Sequence, residues 1–156
     1  NTGHFRVIGE KGDADFNGED PSVVQGLGRT GDLPQATTLA SLARELKKNL
    51  SLAAVAIAGD PDLRIKRVAL CSGSGASLLG DFFESSAQVY ISGDLRYHDA
   101  RDVETAGRGL IDIGHFASEH LVVEVLAVKL TEMLNKSKAD ISVEACRLEE
   151  DPFKRI

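Results

Sequence analysis

Three of the four histidines of the chain lie beside carboxylates in two short segments. One segment reads Gly93-Asp94-Leu95-Arg96-Tyr97-His98-Asp99-Ala100, and the other reads Asp112-Ile113-Gly114-His115-Phe116-Ala117-Ser118-Glu119-His120. Imidazole and carboxylate groups bind divalent metal ions, and they also exchange protons with substrates. The two segments therefore indicate a metal site or an acid and base pair.

The second segment has the spacing of a metal-binding turn. His115 and Glu119 are four residues apart, so a helix that begins after Gly114 places both on one face, about 6 Å apart. Two ligands form half of a tetrahedral site. The alternative is a surface histidine with a first-turn glutamate that the helix dipole stabilises. His120 lies about 100° around the helix from Glu119, and we leave it out of the ligand set.

The first segment offers a second pair of groups. Asp94 and His98 are candidates for metal ligands or for a catalytic acid and base, and Asp99 is a candidate for orienting the imidazole. The simpler alternative is that Asp94 or Asp99 caps the next helix. Spacing alone leaves both interpretations open.

A third segment, residues 71–77, is rich in small side chains. At Gly73, Ser74 and Gly75 the backbone amides can approach a phosphate or carboxylate at the start of a helix. No Gly-Lys-Ser/Thr sequence follows, and the complete G-x-G-x-x-G spacing is absent. The alternative is a tight turn that allows the helix to pack closely.

The elements that must position these segments alternate between strands and helices. We expect strands at residues 53–58, 67–71, 88–92, 110–113 and 141–146. We expect helices at residues 38–49, 76–84, 98–106 and 116–136, the first capped by Thr37 or Thr38. This order predicts an α/β fold, a layered and mostly parallel sheet with flanking helices. In such sheets the reactive loops gather at the carboxyl ends of the strands.

Composition restricts the class of protein. A chain of 156 residues with 42% apolar content can bury one core, which predicts one main domain. A net charge of −6 without a long basic run argues against a nucleic-acid partner. Cys71 and Cys146 are expected to be buried free thiols. No apolar stretch approaches the roughly 20 residues of a membrane span, and we expect no signal peptide, so we expect a cytoplasmic protein without a membrane partner.

The first part of the chain has a different character. Residues 9–34 contain six glycines and two prolines, which argues against core structure there. One short strand is expected at residues 4–8. Because the chain also begins without methionine, we interpret it as a fragment of a longer protein.

The order of the motifs resembles one known family. Residues 67–75, 92–100 and 110–119, together with the closing Asp151-Pro152-Phe153, follow the order and spacing of the dinuclear-metal-centre family. Its members are YbgI-like or NGG-interacting-factor-three-like proteins, also described as GTP cyclohydrolase I type 2 homologues. Residues 26–34 resemble the start of the second half of the family fold, so the resemblance covers residues 23–153.

The resemblance implies a homohexameric ring whose full-length subunit holds two divalent ions, zinc, iron or manganese, between two α/β halves. His115 and Glu119 match the metal-binding residues of the G-H-x-x-x-E motif. His98 would lie near the metals, either as a group that supports the metal ligands or as a proton carrier. The remaining ligands belong to an amino-terminal half that this chain does not contain. Residues 1–22 resemble the end of an inserted PII-like domain, and residues 23–156 form the carboxyl-terminal α/β domain.

The implied function is hydrolysis of a nucleotide or related heterocycle, in which two metal ions polarise a substrate oxygen and supply hydroxide. The alternative is a non-catalytic metal-binding scaffold or regulatory interaction protein. A third interpretation is a domain that folds but has no activity on its own. Because two protein ligands make half a site, the chain alone is expected to hold metal weakly or not at all.

Overall fold

The computed structural model describes residues 6–8, 26–137 and 140–153. The described strands are Arg6–Ile8 (β1), Gly28–Thr38 (β2), Ala56–Ala58 (β3), Arg64–Ser74 (β4), Val89–Gly93 (β5) and Gly109–Asp112 (β6). The described helices are Leu39–Asn49 (α1), Leu79–Glu84 (α2), Tyr97–Thr105 (α3), His115–Glu119 (α4) and Leu121–Lys136 (α5). A 3₁₀ turn, Ala76–Leu78, precedes α2.

The strands form one sheet in the order β1-β2-β4-β5-β6-β3. The three central strands β4, β5 and β6 are parallel, which confirms the predicted α/β class. Every residue of β5 is buried, as expected for a parallel strand covered on both faces. Each outer strand is antiparallel to its inner neighbour: β2 pairs with β4 and β1 with β2 on one side, and β3 pairs with β6 on the other.

Strand β2 contradicts the expectation that residues up to 34 lie outside the core. Its first part pairs with β4, with Arg29 opposite Leu70 and Asp32 opposite Arg67. The register is interrupted between Asp32 and Thr37, and Pro34 falls in this irregular stretch, where a missing N–H costs no ladder hydrogen bond. The glycines of residues 28–31 therefore belong to a strand that is paired with β4, and they do not indicate a loop.

The predicted elements are otherwise confirmed with shifted bounds. Thr38 caps α1, because its Oγ accepts the N–H of Ser41 at 3.2 Å. The helix expected at 116–136 is divided near His120, where the N–H of Val123 bonds to the His120 carbonyl in a tighter i to i+3 turn.

The predicted strand at 141–146 is wrong, since residues 140–153 are irregular. β1 confirms the early strand, and the proposed domain boundary near residue 22 lies outside the described residues.

Two hydrophobic clusters form the core. Along β5, Val89 and Ile91 belong to one cluster and Tyr90 to the other, so the clusters lie on opposite faces of the sheet. Cys71 is buried as predicted, whereas Cys146 is exposed, which corrects the expectation for that thiol; both are free. Cys146 is exposed because residues 141–146 do not form the strand that was expected to bury it.

Helix α5 leaves an apolar surface exposed. None of its residues is buried among the described residues. Its exposed large apolar side chains are Leu121, Val122, Val125, Leu126, Val128, Leu130 and Met133. No helix in the described part of the chain is long and apolar enough to cross a membrane.

Candidate metal centre

The two histidine segments meet at one edge of the sheet. β5 and β6 are parallel neighbours, with Ser92 opposite Asp112, so the loops that follow them begin side by side. Asp94 comes directly after β5, and His115 is the first residue of α4. Topology therefore brings together two residues that are 21 positions apart in sequence.

The imidazole of His115 lies between two carboxylates. Its Nδ1 is 2.8 Å from Oδ2 of Asp94, and its Nε2 is 3.1 Å from Oε2 of Glu119. About half of each of these three side chains is exposed, so a solute can reach the group. The structure thus places His115 beside Glu119, as their helical spacing predicted, and adds Asp94 on the other edge of the ring.

The carboxylates make the imidazole more basic. The hydrogen bond that Asp94 accepts from the ring raises the pKa of His115 above its usual value, and the charge of Glu119 acts in the same direction. A cation at Nε2 competes with a proton there, so metal affinity is expected to rise with pH. The donor set of one imidazole and one carboxylate suits a divalent transition metal.

The candidate ligand set is incomplete among the residues that the structure describes. Among the described residues, no group of three or more histidine, cysteine or acidic side chains is arranged to hold a metal ion. Asp94 faces Nδ1 and Glu119 faces Nε2, on opposite edges of the ring. His115 and Glu119 therefore fit a cation as part of its ligand set.

Asp112 connects the two loops, a role that sequence reasoning did not assign. Its Oδ2 accepts the N–H of Leu95 at 3.0 Å, and its Oδ1 accepts the N–H of Gly114 at 2.8 Å. One carboxylate thus ties the loop after β5 to the start of α4. The available signal was the Asp-x-Gly sequence, which is typical of an aspartate that bonds the backbone two residues ahead.

Ser118 is a second residue that sequence reasoning missed. Its hydroxyl donates to the carbonyl of His115 at 2.8 Å and accepts the N–H of Gly73 at 2.7 Å. A Cβ on Gly73 would collide with the carboxylate of Glu119. The end of β4 therefore packs directly against the turn that carries both candidate ligands, and the φ of +65° at Gly73 favours glycine there.

In the segment of small residues, 71–77, the backbone N–H groups of both glycines donate to side chains of the protein itself. The N–H of Gly73 bonds to Ser118, and the N–H of Gly75 donates to the hydroxyl of Ser92 at 3.0 Å. Ser74 is still part of β4. This geometry favours the tight-turn alternative, and anion binding by Gly73, Ser74 and Gly75 stays a prediction.

His98 and Asp99 lie apart from the His115 pair. His98 is exposed at the start of α3, with its ring edge-on to Tyr97 at 5.8 Å. Asp99 is buried, accepts the N–H of Arg96 at 2.8 Å and pairs with its guanidinium at 3.0 Å. The guanidinium holds the pKa of Asp99 below its usual range. Asp99 therefore caps α3, as the simpler alternative proposed.

A cleft of about 490 Å³ opens beside the imidazole of His115. Apolar side chains from α4, α5 and the closing Asp-Pro-Phe segment line it, among them Phe116, Val123 and Phe153. His120 also lines it and stacks on Phe116 with ring centres 4.7 Å apart. His98 is not among the lining residues that the structure describes, so its predicted role as proton carrier has no support in this geometry.

Comparison with known proteins gives a consistent match. A family model described as Duf34/NIF3 (NGG1p interacting factor 3) matches residues 3–152. A GTP cyclohydrolase 1 type 2 homolog of Staphylococcus aureus strain MSSA476 is 35% identical over 131 residues, covering 84% of this chain and 36% of that protein. The protein of the same name from Bacillus subtilis strain 168 is 33% identical over 135 residues, covering 86% of this chain and 36% of that protein.

A solved structure shows the same fold. The crystal structure of Staphylococcus aureus protein SA1388 superposes with a TM-score of 0.79 at 34% identity. The match covers 84% of this chain and 42% of that chain. The chain thus spans about a third of the length of the curated relatives it matches.

Proposed function

Because the chain belongs to the Duf34/NIF3 family, we propose that it supplies part of a two-metal hydrolytic site, with His115 and Glu119 as ligands. The observation that carries this proposal is the 3.1 Å approach of His115 Nε2 to Glu119 Oε2 at the rim of an open cleft. Zinc, iron and manganese all accept imidazole with carboxylate ligands. The other ligands would come from the part of the longer relatives that this chain does not span.

The proposed substrate is a nucleotide or a related heterocycle. The name of the relatives from Staphylococcus aureus and Bacillus subtilis, GTP cyclohydrolase 1 type 2 homolog, supports this class. When bound, a pair of divalent ions would polarise a substrate oxygen and supply hydroxide near neutral pH. Two ions per full-length subunit are proposed.

The lining of the cleft supports a cation-dependent substrate site. Asp94, Glu149 and Asp151 line it, and no lysine or arginine does so within the described residues. An anionic phosphate would be repelled by such a wall unless bound cations reversed the local charge. The apolar side chains of Phe116 and Phe153 offer a flat surface for a heterocyclic ring.

A metal titration tests the ligand assignment. The chain is expected to bind Zn²⁺ weakly by isothermal titration calorimetry, and His115→Ala or Glu119→Gln is expected to weaken this binding at least about tenfold, a loss of about 1.4 kcal/mol. Glu132→Gln, an exposed carboxyl on α5, is the matched control and should bind as the wild type does. Equal affinity in all four proteins would remove His115 and Glu119 from the ligand set.

Turnover separates the hydrolase from a scaffold. In the longer protein that carries the remaining ligands, opening of the GTP ring that is lost on His115→Ala with the fold intact supports the enzyme. Metal binding without turnover across a panel of nucleotides supports the non-catalytic alternative.

A second candidate function, a scaffold or regulatory interaction protein, is favoured by α5. A helix that is apolar over most of its surface is normally buried, yet none of the residues of α5 is buried among the described residues. Val122, Leu126, Leu130 and Met133 form one exposed stripe. We propose that this stripe packs against another copy of the chain, as part of the homohexamer expected for the full-length protein.

The self-association proposal predicts a concentration-dependent mass. Sedimentation of the wild-type chain is expected to show oligomers that dissociate on dilution, because burial of the α5 stripe drives association. Leu126→Glu places a charge in the stripe and is expected to give monomers. Thr131→Glu, on the more polar side of α5, is the control and should associate as the wild type does. A wild-type chain that stays monomeric at every concentration would contradict the proposal.

The two cysteines support a proposal about the compartment. Cys71 and Cys146 are both free, and Cys146 is exposed. Free exposed thiols persist where the surroundings are reducing, so we propose the cytoplasm.

A further inference from the structure

We infer that Asp94 is a positioning residue: its carboxylate keeps the imidazole proton of His115 on Nδ1 and thereby directs the unprotonated Nε2 toward Glu119 and a shared ion. This inference rests on the proposed metal-binding function. It replaces the sequence-based expectation that Asp94 works with His98 as an acid and base pair. It also assigns the imidazole-orienting role to Asp94 rather than to Asp99.

The two carboxylates contact different nitrogens of the His115 ring, so they can have different functions. Asp94 Oδ2 is 2.8 Å from Nδ1, and Glu119 Oε2 is 3.1 Å from Nε2. A neutral imidazole carries one N–H, so a hydrogen bond accepted by Asp94 at Nδ1 leaves Nε2 with its lone pair. Carboxylates in this position fix the tautomer of metal-binding histidines and raise their basicity.

The backbone around Asp94 is built to hold this carboxylate in place. Asp94 has a φ of +53°, a left-handed conformation that few residues other than glycine adopt. The next residue, Leu95, is tied through its N–H to Asp112, which also accepts the N–H of Gly114 beside His115. Asp94 and His115 are therefore held relative to each other by a shared carboxylate, and the unusual conformation is stabilised by its surroundings.

The same geometry argues against two other roles. As a ligand of an ion on Nε2, Asp94 would have to reach around the imidazole, since it lies on the Nδ1 edge. As an ordinary exposed ion pair, the contact would contribute little to stability, and it would not require an aspartate in a left-handed conformation.

Two substitutions test the role without disturbing the backbone. Asparagine and glycine both tolerate a left-handed φ, so Asp94→Asn and Asp94→Gly are expected to fold. The amide of asparagine can donate to Nδ1, which favours the tautomer with the proton on Nε2. Asp102→Asn, an exposed aspartate on α3, is the matched control.

The first readout needs no metal. Long-range proton–nitrogen NMR of the metal-free chain at alkaline pH, with His115 assigned through a His115→Gln variant, is expected to show the proton on Nδ1 in the wild type and in Asp102→Asn. In Asp94→Asn the proton is expected to move to Nε2. A wild-type His115 with its proton on Nε2, or an unchanged tautomer in Asp94→Asn, would overturn the inference.

The second readout is Zn²⁺ affinity. Asp94→Asn and Asp94→Gly are expected to bind Zn²⁺ about 10- to 100-fold more weakly than the wild type. Weaker binding without a change of tautomer would overturn the inference, because Asp94 would then act as a ligand. The expected tautomers in a chain that binds no Zn²⁺ would support the positioning role and refute the proposed metal function.

Discussion

Replacing Phe82 by alanine is expected to lower the free energy of unfolding by about 3–5 kcal/mol. Phe82 is fully buried in the cluster on the face of the sheet that carries Tyr90. Its ring stacks on Tyr90 with centres 5.3 Å apart and contacts Phe83 at 5.4 Å. Truncation would remove this burial and leave a cavity beneath α2 that the close-packed surroundings fill only in part.

Arg108 makes the loss larger than burial alone suggests. Its guanidinium lies 5.0 Å from the centre of the Phe82 ring. It also donates to the carbonyls of Phe82, Ser85 and Ala87 and to that of Phe83, which satisfies the end of α2. Losing the ring removes one wall of the site that orients this side chain.

Chemical denaturation measures the effect. The midpoint of urea unfolding should fall sharply for Phe82→Ala with little change in slope. Tyr97→Ala is the matched control, because Tyr97 is 73% exposed and an exposed aromatic should change stability within about 0.5 kcal/mol. A loss below about 1 kcal/mol for Phe82→Ala would contradict the packing described above.

Replacing Gly93 by alanine is expected to damage the fold and the site together. A Cβ at Gly93 would lie 2.7 Å from the carbonyl carbon of Gly114 and from the backbone N of His115. These are backbone atoms, so the start of α4 has to move away from β5. Overpacking of this kind costs about 1–3 kcal/mol, and the displacement would lengthen the bond between His115 and Asp94.

Unfolding and NMR together check this prediction. Gly93→Ala is expected to unfold at lower denaturant concentration and to lose the Nδ1 proton signal of His115. Gly80→Ala is the control, because a Cβ there meets nothing within 4 Å and alanine is favoured over glycine in a helix by about 1 kcal/mol. An intact His115 signal in Gly93→Ala would show that the two loops are not in contact at this glycine.

Local patterns predicted the elements that carry the site. The spacing of His115 and Glu119 depends only on helical geometry, so four residues of separation sufficed to place them together. Thr38 and the short apolar runs likewise identified α1 and the central strands, because caps and periodicity are local signals.

Local sequence patterns did not predict which segments pair with each other in the sheet. Residues 141–146 have strand-like composition, yet they pair with no strand of the described sheet, and a strand exists only beside a partner. β2 shows the converse, since its glycines and Pro34 suggested a loop while pairing with β4 made it a strand.

The sequence by itself determined the α/β class, the family resemblance and the turn that bears His115 and Glu119, because these depend on residues close together in the chain. Only the tertiary structure decided that Asp94, rather than Asp99, faces an imidazole, and that this imidazole belongs to His115 rather than His98. The register of β5 against β6 sets that choice. The physical reason is that hydrogen bonds between parallel strands align distant residues, and no local signal reports which residue lies opposite which.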